Sequence, residues 1–156
     1  MTHSNVSHVG FVVPDLLEGM ARISRALGIS FLPPLDQEIA ILEEGGQSAP
    51  GHLRLTWSIE GPPHIELIEG QVSGLYAYHG IDRAFHHLGG FTESHDVSLG
   101  HLSSLGIRME ACQREPDGTI IASYSEPHDL FGIRYEHIAP GRRADIERWL
   151  SGEPWS

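Results

Sequence analysis

His8-Val9-Gly10-Phe11-Val12-Val13-Pro14-Asp15 opens the first half of the chain, and His87-Leu88-Gly89-Gly90-Phe91-Thr92-Glu93-Ser94 opens the second half in nearly the same pattern. Each stretch leads into a helix-like run that ends in Leu-Gly-Ile. Each half then closes on a strand-like run with a central glutamate, Glu66 in the first half and Glu136 in the second. The pattern predicts an internal duplication in which each copy begins with a strand histidine and ends with a strand glutamate.

Composition limits the classes of function. The chain has 156 residues, 40% of them hydrophobic, which fits one domain or two half-size modules that share a core. Its formal net charge of −11 argues against nucleic acid as a partner, because phosphate contacts require a basic surface. No apolar run approaches the roughly 20 residues of a membrane span, so no membrane association is expected. All ten basic residues are arginine, which excludes a lysine Schiff base.

The cysteine content and the N-terminus both bear on location. Cys112 is the single cysteine and cannot form an internal disulfide, which fits a reducing compartment. Residues 1–5 lack the basic and apolar regions of a signal peptide. The chain is therefore expected in the cytoplasm.

Hydrophobic periodicity predicts the order strand, helix, strand, strand, strand in each half. Apolar residues alternate over 7–13, and after Asp15, a predicted N-cap, they recur at helical spacing. The second and third strands of the first half are predicted to be separated by a Gly/Pro-rich loop from Glu44 to Gly51. The predicted boundaries are a single domain at 1–156, modules at about 6–70 and 85–140, and a short C-terminal helix at 142–150.

The duplicated pattern resembles the vicinal oxygen chelate superfamily, which contains glyoxalase I, methylmalonyl-CoA epimerases, extradiol dioxygenases, and bleomycin and fosfomycin resistance proteins. The resemblance covers about residues 6–140. It implies an α+β fold in which tandem βαβββ modules form a cupped, incomplete eight-stranded barrel around one metal ion, and it implies a homodimer. The stretches that carry it are His8-Val9-Gly10-Phe11-Val12-Val13-Pro14-Asp15, Ile65-Glu66-Leu67-Ile68, His86-His87-Leu88-Gly89 and Arg134-Tyr135-Glu136.

The family's metal ligands fall, position by position, on His8, Glu66, His87 and Glu136. The residues themselves favour the same set, because a carboxylate in the middle of an apolar strand is costly unless it is paired or bound to a metal. The alternatives are a satisfied core histidine and a solvent-facing edge glutamate, and the repetition in both halves disfavours them. Two imidazoles and two carboxylates suit one divalent ion, with zinc, nickel, cobalt, manganese and iron(II) all open.

The adjacent pair His86 and His87 requires a choice, since both cannot point inward from one regular strand. Alignment of the two halves selects His87. His86 is then expected to face the helix side or an interface, without a catalytic role. A slip of one residue would reverse the assignment.

The resemblance implies a metal-dependent lyase, isomerase or epimerase that acts on a small α-hydroxycarbonyl, hemithioacetal or acyl-thioester substrate. In this scheme the metal stabilises an enediolate, and Glu136 or Glu66 carries the proton. The chain departs from the methylmalonyl-CoA epimerases at Glu66, where they typically carry glutamine, whereas glyoxalase I has the same His, Glu, His, Glu order. Two alternatives stay open: an iron(II) ring-cleaving dioxygenase with one idle glutamate, and a metal-free drug-binding resistance protein.

Substrate contacts are expected from the polar faces of the strands that line the cup. Arg54 is a candidate to hold a substrate carboxylate, with a solvated edge arginine as the alternative. Arg134 is a candidate for a substrate anion, or for pairing with Glu136. Ser123, or else Tyr124, is expected to face inward from the seventh strand. The full set of substrate-binding candidates is Arg54, Thr56, His64, Ser123 and Arg134.

Overall fold

The computed structural model describes residues 6–155, with eight strands and three α-helices. The helices are α1 Leu16–Leu27, α2 His95–Ser104 and α3 Pro140–Leu150. The strands are β1 His8–Val13, β2 Leu35–Glu44, β3 Gln47–Trp57, β4 His64–Glu69, β5 Phe85–Phe91, β6 Met109–Arg114, β7 Ile120–Ser125 and β8 Tyr135–Ile138. None of the helices in this part of the chain combines the length and apolarity that crossing a membrane requires.

Both halves have the predicted βαβββ order, which confirms the α+β class and the tandem modules. Hydrogen-bonded neighbours follow the order β1-β4-β3-β2-β6-β7-β8-β5. The β1–β5 and β2–β6 pairings, both antiparallel, join one module to the other. The sequence predicted an incomplete barrel, whereas these two joints close the ring of strand pairings.

The caps of α1 and α2 explain where these helices begin and end, while α3 begins two residues before the predicted start at 142. The side chain of Asp15 accepts a hydrogen bond from the backbone N–H of Glu18 at 2.8 Å, so it caps α1. Gly28 ends that helix with a φ of 68°, a conformation that favours glycine. Ser94 caps α2 by accepting from the backbone of Val97.

The prediction of a loop from Glu44 to Gly51 is wrong, because β2 and β3 form a long hairpin in this region. Gly45 and Gly46, both with positive φ, make the tight turn between the two strands. Pro50 is tolerated because it lies where the register of the hairpin shifts and the ladder of hydrogen bonds is interrupted.

The main core lies inside the ring of strands. The alternate residues Leu53, Leu55 and Trp57 of β3 belong to this core, together with apolar residues from both modules. From α3, Ile146 and Trp149 pack onto the same cluster. The C-terminal helix therefore lies against the barrel interior.

Candidate metal centre

Strands β1 and β5 place each predicted histidine opposite a glycine of the other module. In their antiparallel register, His8 lies opposite Gly89 and His87 lies opposite Gly10. A β-carbon on either glycine would overlap the imidazole that faces it. The two His-x-Gly motifs of the duplication therefore make space for each other's rings.

Strands β4 and β8 add a glutamate beside each of these glycines. Glu66 is paired with Gly10 in the parallel β1–β4 ladder, and Glu136 is paired with Gly89 in the parallel β5–β8 ladder. Two neighbouring rows of the barrel thus each contain glutamate, glycine and histidine. This arrangement brings all four predicted metal ligands to one place.

The four side chains converge in a buried cluster. The Nε2 atoms of His8 and His87 lie 2.8 Å apart, and Oε2 of Glu136 lies 2.9 Å from the first and 3.3 Å from the second. Oε2 of Glu66 lies 3.1 Å from Nε2 of His87 and 3.7 Å from Nε2 of His8. Ligand atoms at ordinary bond lengths around one divalent ion stand about 3 Å from one another. Among the described residues, His8, His87 and Glu136 form a group whose ligand atoms all lie within 4.8 Å of one another and could hold such an ion.

Hydrogen bonds fix the tautomer of His8. The hydroxyl of Ser7 donates to the carbonyl of Gly89 at 3.2 Å, so its oxygen is free to accept. Nδ1 of His8 lies 3.0 Å from the hydroxyl oxygen of Ser7 and donates a hydrogen bond to it. A neutral His8 therefore presents the lone pair of Nε2 to the centre of the cluster.

His86 fixes His87 in the same way. Nε2 of His86 lies 2.8 Å from the carbonyl of Leu75 and must donate to it. Burial, then the charges of His87 and Arg134, lowers the pKa of His86 to about 3, so its Nδ1 is unprotonated. Nδ1 of His86 lies 2.8 Å from Nδ1 of His87 and accepts a hydrogen bond from its N–H group. Nε2 of His87 is left facing Glu66 and Glu136.

The expectation that His86 faces the helix side or an interface is wrong. The register of β1 and β5 shifts after the pair of Gly10 with His87, so that Phe85 is the next paired residue and His86 is the extra one. His86 is buried and stacks on Tyr76, with ring centroids 5.4 Å apart. A β-bulge therefore lets both adjacent histidines face inward.

Each glutamate is held through its other oxygen. The indole N–H of Trp57 donates to Oε1 of Glu66 at 3.0 Å, and the hydroxyl of Tyr124 donates to Oε1 of Glu136 at 2.6 Å. Tyr124 in turn accepts from the hydroxyl of Tyr76 at 3.0 Å. Both carboxylates are thereby oriented with Oε2 towards the histidines, the kind of support that metal ligands have in proteins.

The buried charges require a cation at the centre. Burial is the largest single influence and lowers the pKa of His87, but the charges and hydrogen bonds of Glu136 and Glu66 together outweigh it and raise the pKa to about 9. Burial raises the pKa of Glu136, but the charge of His87 and the hydrogen bonds from both histidines bring it well below the ordinary value. Two buried carboxylates are thus compensated either by a proton on an imidazole or by a metal ion.

Two of the predicted substrate-binding residues, Arg54 and Thr56, lie on the face of β3 that points away from the barrel interior. Thr56 is fully buried and donates to the carbonyl of Leu32 at 2.6 Å, while Arg54 lies 3.6 Å from Glu69. We expected both to face the cup, because substrate contacts were predicted on the polar faces of the strands. The apolar face instead lines the barrel interior, so the polar face points outward.

The other three candidates also make contacts outside the cluster. Ser123 borders a cavity beneath α2, while its neighbour Tyr124 faces inward, as the alternative assignment had it. Arg134 forms a two-pronged ion pair with Glu110 and does not pair with Glu136. His64 bonds the carbonyl of Ser58 at 2.8 Å and stacks on Trp57 at 5.7 Å, beside the site.

The role of Trp57 and Tyr124 in holding the carboxylates was missed at the sequence level. Trp57 is paired with Glu66 in the β3–β4 ladder, and Tyr124 is paired with Glu136 in the β7–β8 ladder. The signal was therefore present in the repeat: each module places an aromatic N–H or O–H donor on the strand that precedes its glutamate. Tyr76 and Gln113 had no comparable signal, because they reach the site from the segment between β4 and β5 and from β6.

A cavity of about 60 Å³ adjoins Glu66 and Glu136. Its walls are mainly apolar, with Gln113 and Arg142 among the polar exceptions. The apolar residues come from several strands and from the C-terminal segment, and they include Leu53, Leu55, Ile68, Ala122, Ile146 and Trp149.

No protein-family model and no curated protein matches this chain. Solved structures do match it. Methylmalonyl-CoA epimerase from Mycobacterium tuberculosis is 20% identical over 90% of this chain and 92% of its own, with a TM-score of 0.61. A variant of methylmalonyl-CoA epimerase from Streptomyces coelicolor, in complex with 2-nitronate-propionyl-CoA, is 16% identical over 87% and 94%, with a TM-score of 0.60. A hypothetical protein from Bacillus halodurans C-125 is 17% identical over 88% and 95%, with a TM-score of 0.62.

These similarities establish the fold. The chain has the paired βαβββ architecture that the sequence predicted, and solved methylmalonyl-CoA epimerases share its fold. Among solved proteins of this architecture, it resembles structures of methylmalonyl-CoA epimerases.

Proposed function

We propose that the protein is a metal-dependent enzyme of the epimerase type, which moves a proton at the carbon beside a carbonyl group of a small substrate. The observation that carries this proposal is the convergence of two imidazole Nε2 atoms and two carboxylate Oε2 atoms in one buried cluster. The likeness to methylmalonyl-CoA epimerases supports it.

We infer that His8, Glu66, His87 and Glu136 hold one divalent ion. Both histidines are fixed in the tautomer that directs Nε2 inward, and both glutamates are held by a donor on the opposite oxygen. A bound ion would polarise a substrate carbonyl and so acidify the neighbouring C–H bond. The donor set suits zinc, nickel, cobalt, manganese or iron(II) alike.

The two glutamates are the candidates for moving the proton. Both border the cavity, and they approach it from different modules, so each can reach a different face of a substrate carbon. Epimerisation requires removal of a proton from one face and return to the other, which one group on each face provides. The glyoxalase-type reaction uses the same groups to move a proton between neighbouring carbons.

The substrate class we propose is a small α-hydroxycarbonyl, hemithioacetal or acyl thioester. Two adjacent oxygens of such a molecule can bind one ion, while its carbon chain faces the apolar walls of the cavity. We further propose that the protein forms one domain of two modules and is located in the cytoplasm. We also propose that it is a homodimer, which sedimentation equilibrium would test.

Deuterium exchange tests the proposed reaction. Protein loaded separately with zinc, nickel, cobalt and manganese is incubated in D₂O with racemic 2-methyl-branched acyl thioesters, hydroxyketones and hemithioacetals. We expect deuterium at the carbon beside the carbonyl of at least one compound, and loss of exchange in Glu66→Gln or Glu136→Gln protein that still binds metal. Oxygen-dependent cleavage of catechols by the iron form, without exchange in any form, would establish the dioxygenase alternative instead.

A further inference from the structure

The C-terminal segment covers the cavity beside the metal centre. Ile146 and Trp149 of α3 are buried against the barrel interior, and both line the cavity. The indole of Trp149 lies 6.5 Å from that of Trp57, which holds Glu66, and 5.7 Å from that of Trp155. Three tryptophans thus connect a proposed metal ligand to the end of the chain.

The remaining space is small. At about 60 Å³, the cavity has room for a few water molecules, whereas pockets that bind molecules of drug size have roughly 300–1,000 Å³. Both Trp149 and Trp155 line this space. Ligand size at this site therefore depends on the C-terminal segment.

Two contacts between α3 and the rest of the protein do not involve Trp149. Arg142 pairs with Glu115 of the β6–β7 turn at 2.7 Å, and the guanidinium of Arg143 stacks over Phe91 at 4.7 Å. Both contacts come from the first turn of the helix. Trp149 lies near the helix end, so it can be replaced without removing either contact.

We propose that Trp149, with Trp155 behind it, is the residue that determines ligand size at the metal centre. The site accepts a small chelator with two adjacent oxygens and a short apolar substituent, and it excludes aromatic or long-chain substituents while Trp149 is in place. This inference rests on the proposed function for the chelating part of the ligand, but the excluded volume is a property of the fold itself.

Hydroxamates of graded size test the proposal, because they bind divalent metals through two adjacent oxygens. Calorimetry on cobalt-loaded protein compares acetohydroxamate, benzohydroxamate and 2-naphthohydroxamate in the wild type, Trp149→Ala and Glu147→Ala. Glu147 is the matched control, since it is exposed on the same helix and does not line the cavity. If Trp149→Ala fails to fold, Trp149→Leu and Trp155→Ala are used in its place.

We expect the wild type and Glu147→Ala to bind acetohydroxamate but to discriminate against 2-naphthohydroxamate. Trp149→Ala should bind 2-naphthohydroxamate at least about tenfold more tightly than the wild type, with acetohydroxamate affinity unchanged within about twofold. Equal affinity of wild type and variant for 2-naphthohydroxamate would overturn the proposal.

A second arm separates this inference from the metal assignment. Naphthalene binding to metal-free protein, followed by fluorescence, requires only the cavity. Binding to Trp149→Ala but not to the wild type supports the size limit even if no metal binds, and binding to both with equal affinity refutes it. Failure of cobalt to bind the wild type would refute the proposed function alone.

Discussion

The imidazole of His8 occupies the space that a side chain on Gly89 would need. The two residues face each other across the β1–β5 pairing, and His87 and Gly10 repeat the relationship two residues further along the same strands. The duplicated His-x-Gly motif is therefore a packing device as well as a source of ligands. It brings two imidazoles together at the joint between the modules.

Gly89→Ala should disrupt the metal centre. The added β-carbon would overlap the imidazole of His8 and displace Nε2 from the cluster, so we expect a loss of at least about tenfold in metal affinity. Gly100→Ala is the control, because a β-carbon there meets no group within 4 Å outside its own helix. Chelator-competition titrations measure the metal affinity of both variants, and equal affinities would contradict the proposed overlap with His8.

Tyr124→Phe should weaken the metal centre without removing a ligand. The hydroxyl holds Oε1 of Glu136 and accepts from Tyr76, so its loss frees the carboxylate and leaves a buried partner unsatisfied. We expect metal affinity to fall about 10–100-fold and unfolding free energy to fall by about 1–3 kcal/mol. Tyr78→Phe, in the linker, is the control for titration and chemical denaturation. Wild-type affinity in Tyr124→Phe would show that Glu136 needs no such support.

His86→Ala tests the tautomer assignment. Without the acceptor on His86, the Nδ1 proton of His87 loses its partner and the ring is free to rotate or change tautomer. We expect metal affinity to fall about 10–100-fold. His101→Ala, on the exposed side of α2, should bind metal like the wild type. In the cobalt form, a visible spectrum of His86→Ala identical to that of the wild type would argue against the assignment.

Metal affinity should depend on pH through His87. In the metal-free protein, burial lowers the pKa of His87, but Glu136 and Glu66 together raise it to about 9, so a metal ion must displace a proton below that pH. Apparent affinity should rise up to about tenfold per pH unit between pH 6.5 and 9 and then level off. Zinc competition titrations at constant ionic strength measure this slope. A flat profile between pH 7 and 9 would mean that His87 is already neutral before metal binds.

The positions of the four converging residues were predictable because they depend on regular features. Duplication places His8 and His87 at equivalent points of equivalent strands, and strand periodicity fixes which side chains share a face with each glutamate. The module order follows from the same patterns. These features are local, and local patterns are what a sequence displays.

The remaining features depend on tertiary packing. The bulge that turns His86 inward adds one residue to a strand whose pattern looks regular. The inward face of β3 was misassigned because the alternation of Leu53 and Arg54 does not say whether a barrel interior or a helix covers the apolar side. The cover that Trp149 provides depends on where α3 docks, which its sequence pattern does not specify.

Metal content is the strongest test of the proposed metal centre. Protein purified without an affinity tag or chelator is analysed by inductively coupled plasma mass spectrometry beside a His87→Ala variant of confirmed fold. We expect about one equivalent of a divalent metal in the wild type and its loss in the variant. No metal in either protein after equilibration with each candidate ion, or equal metal in both, would contradict it.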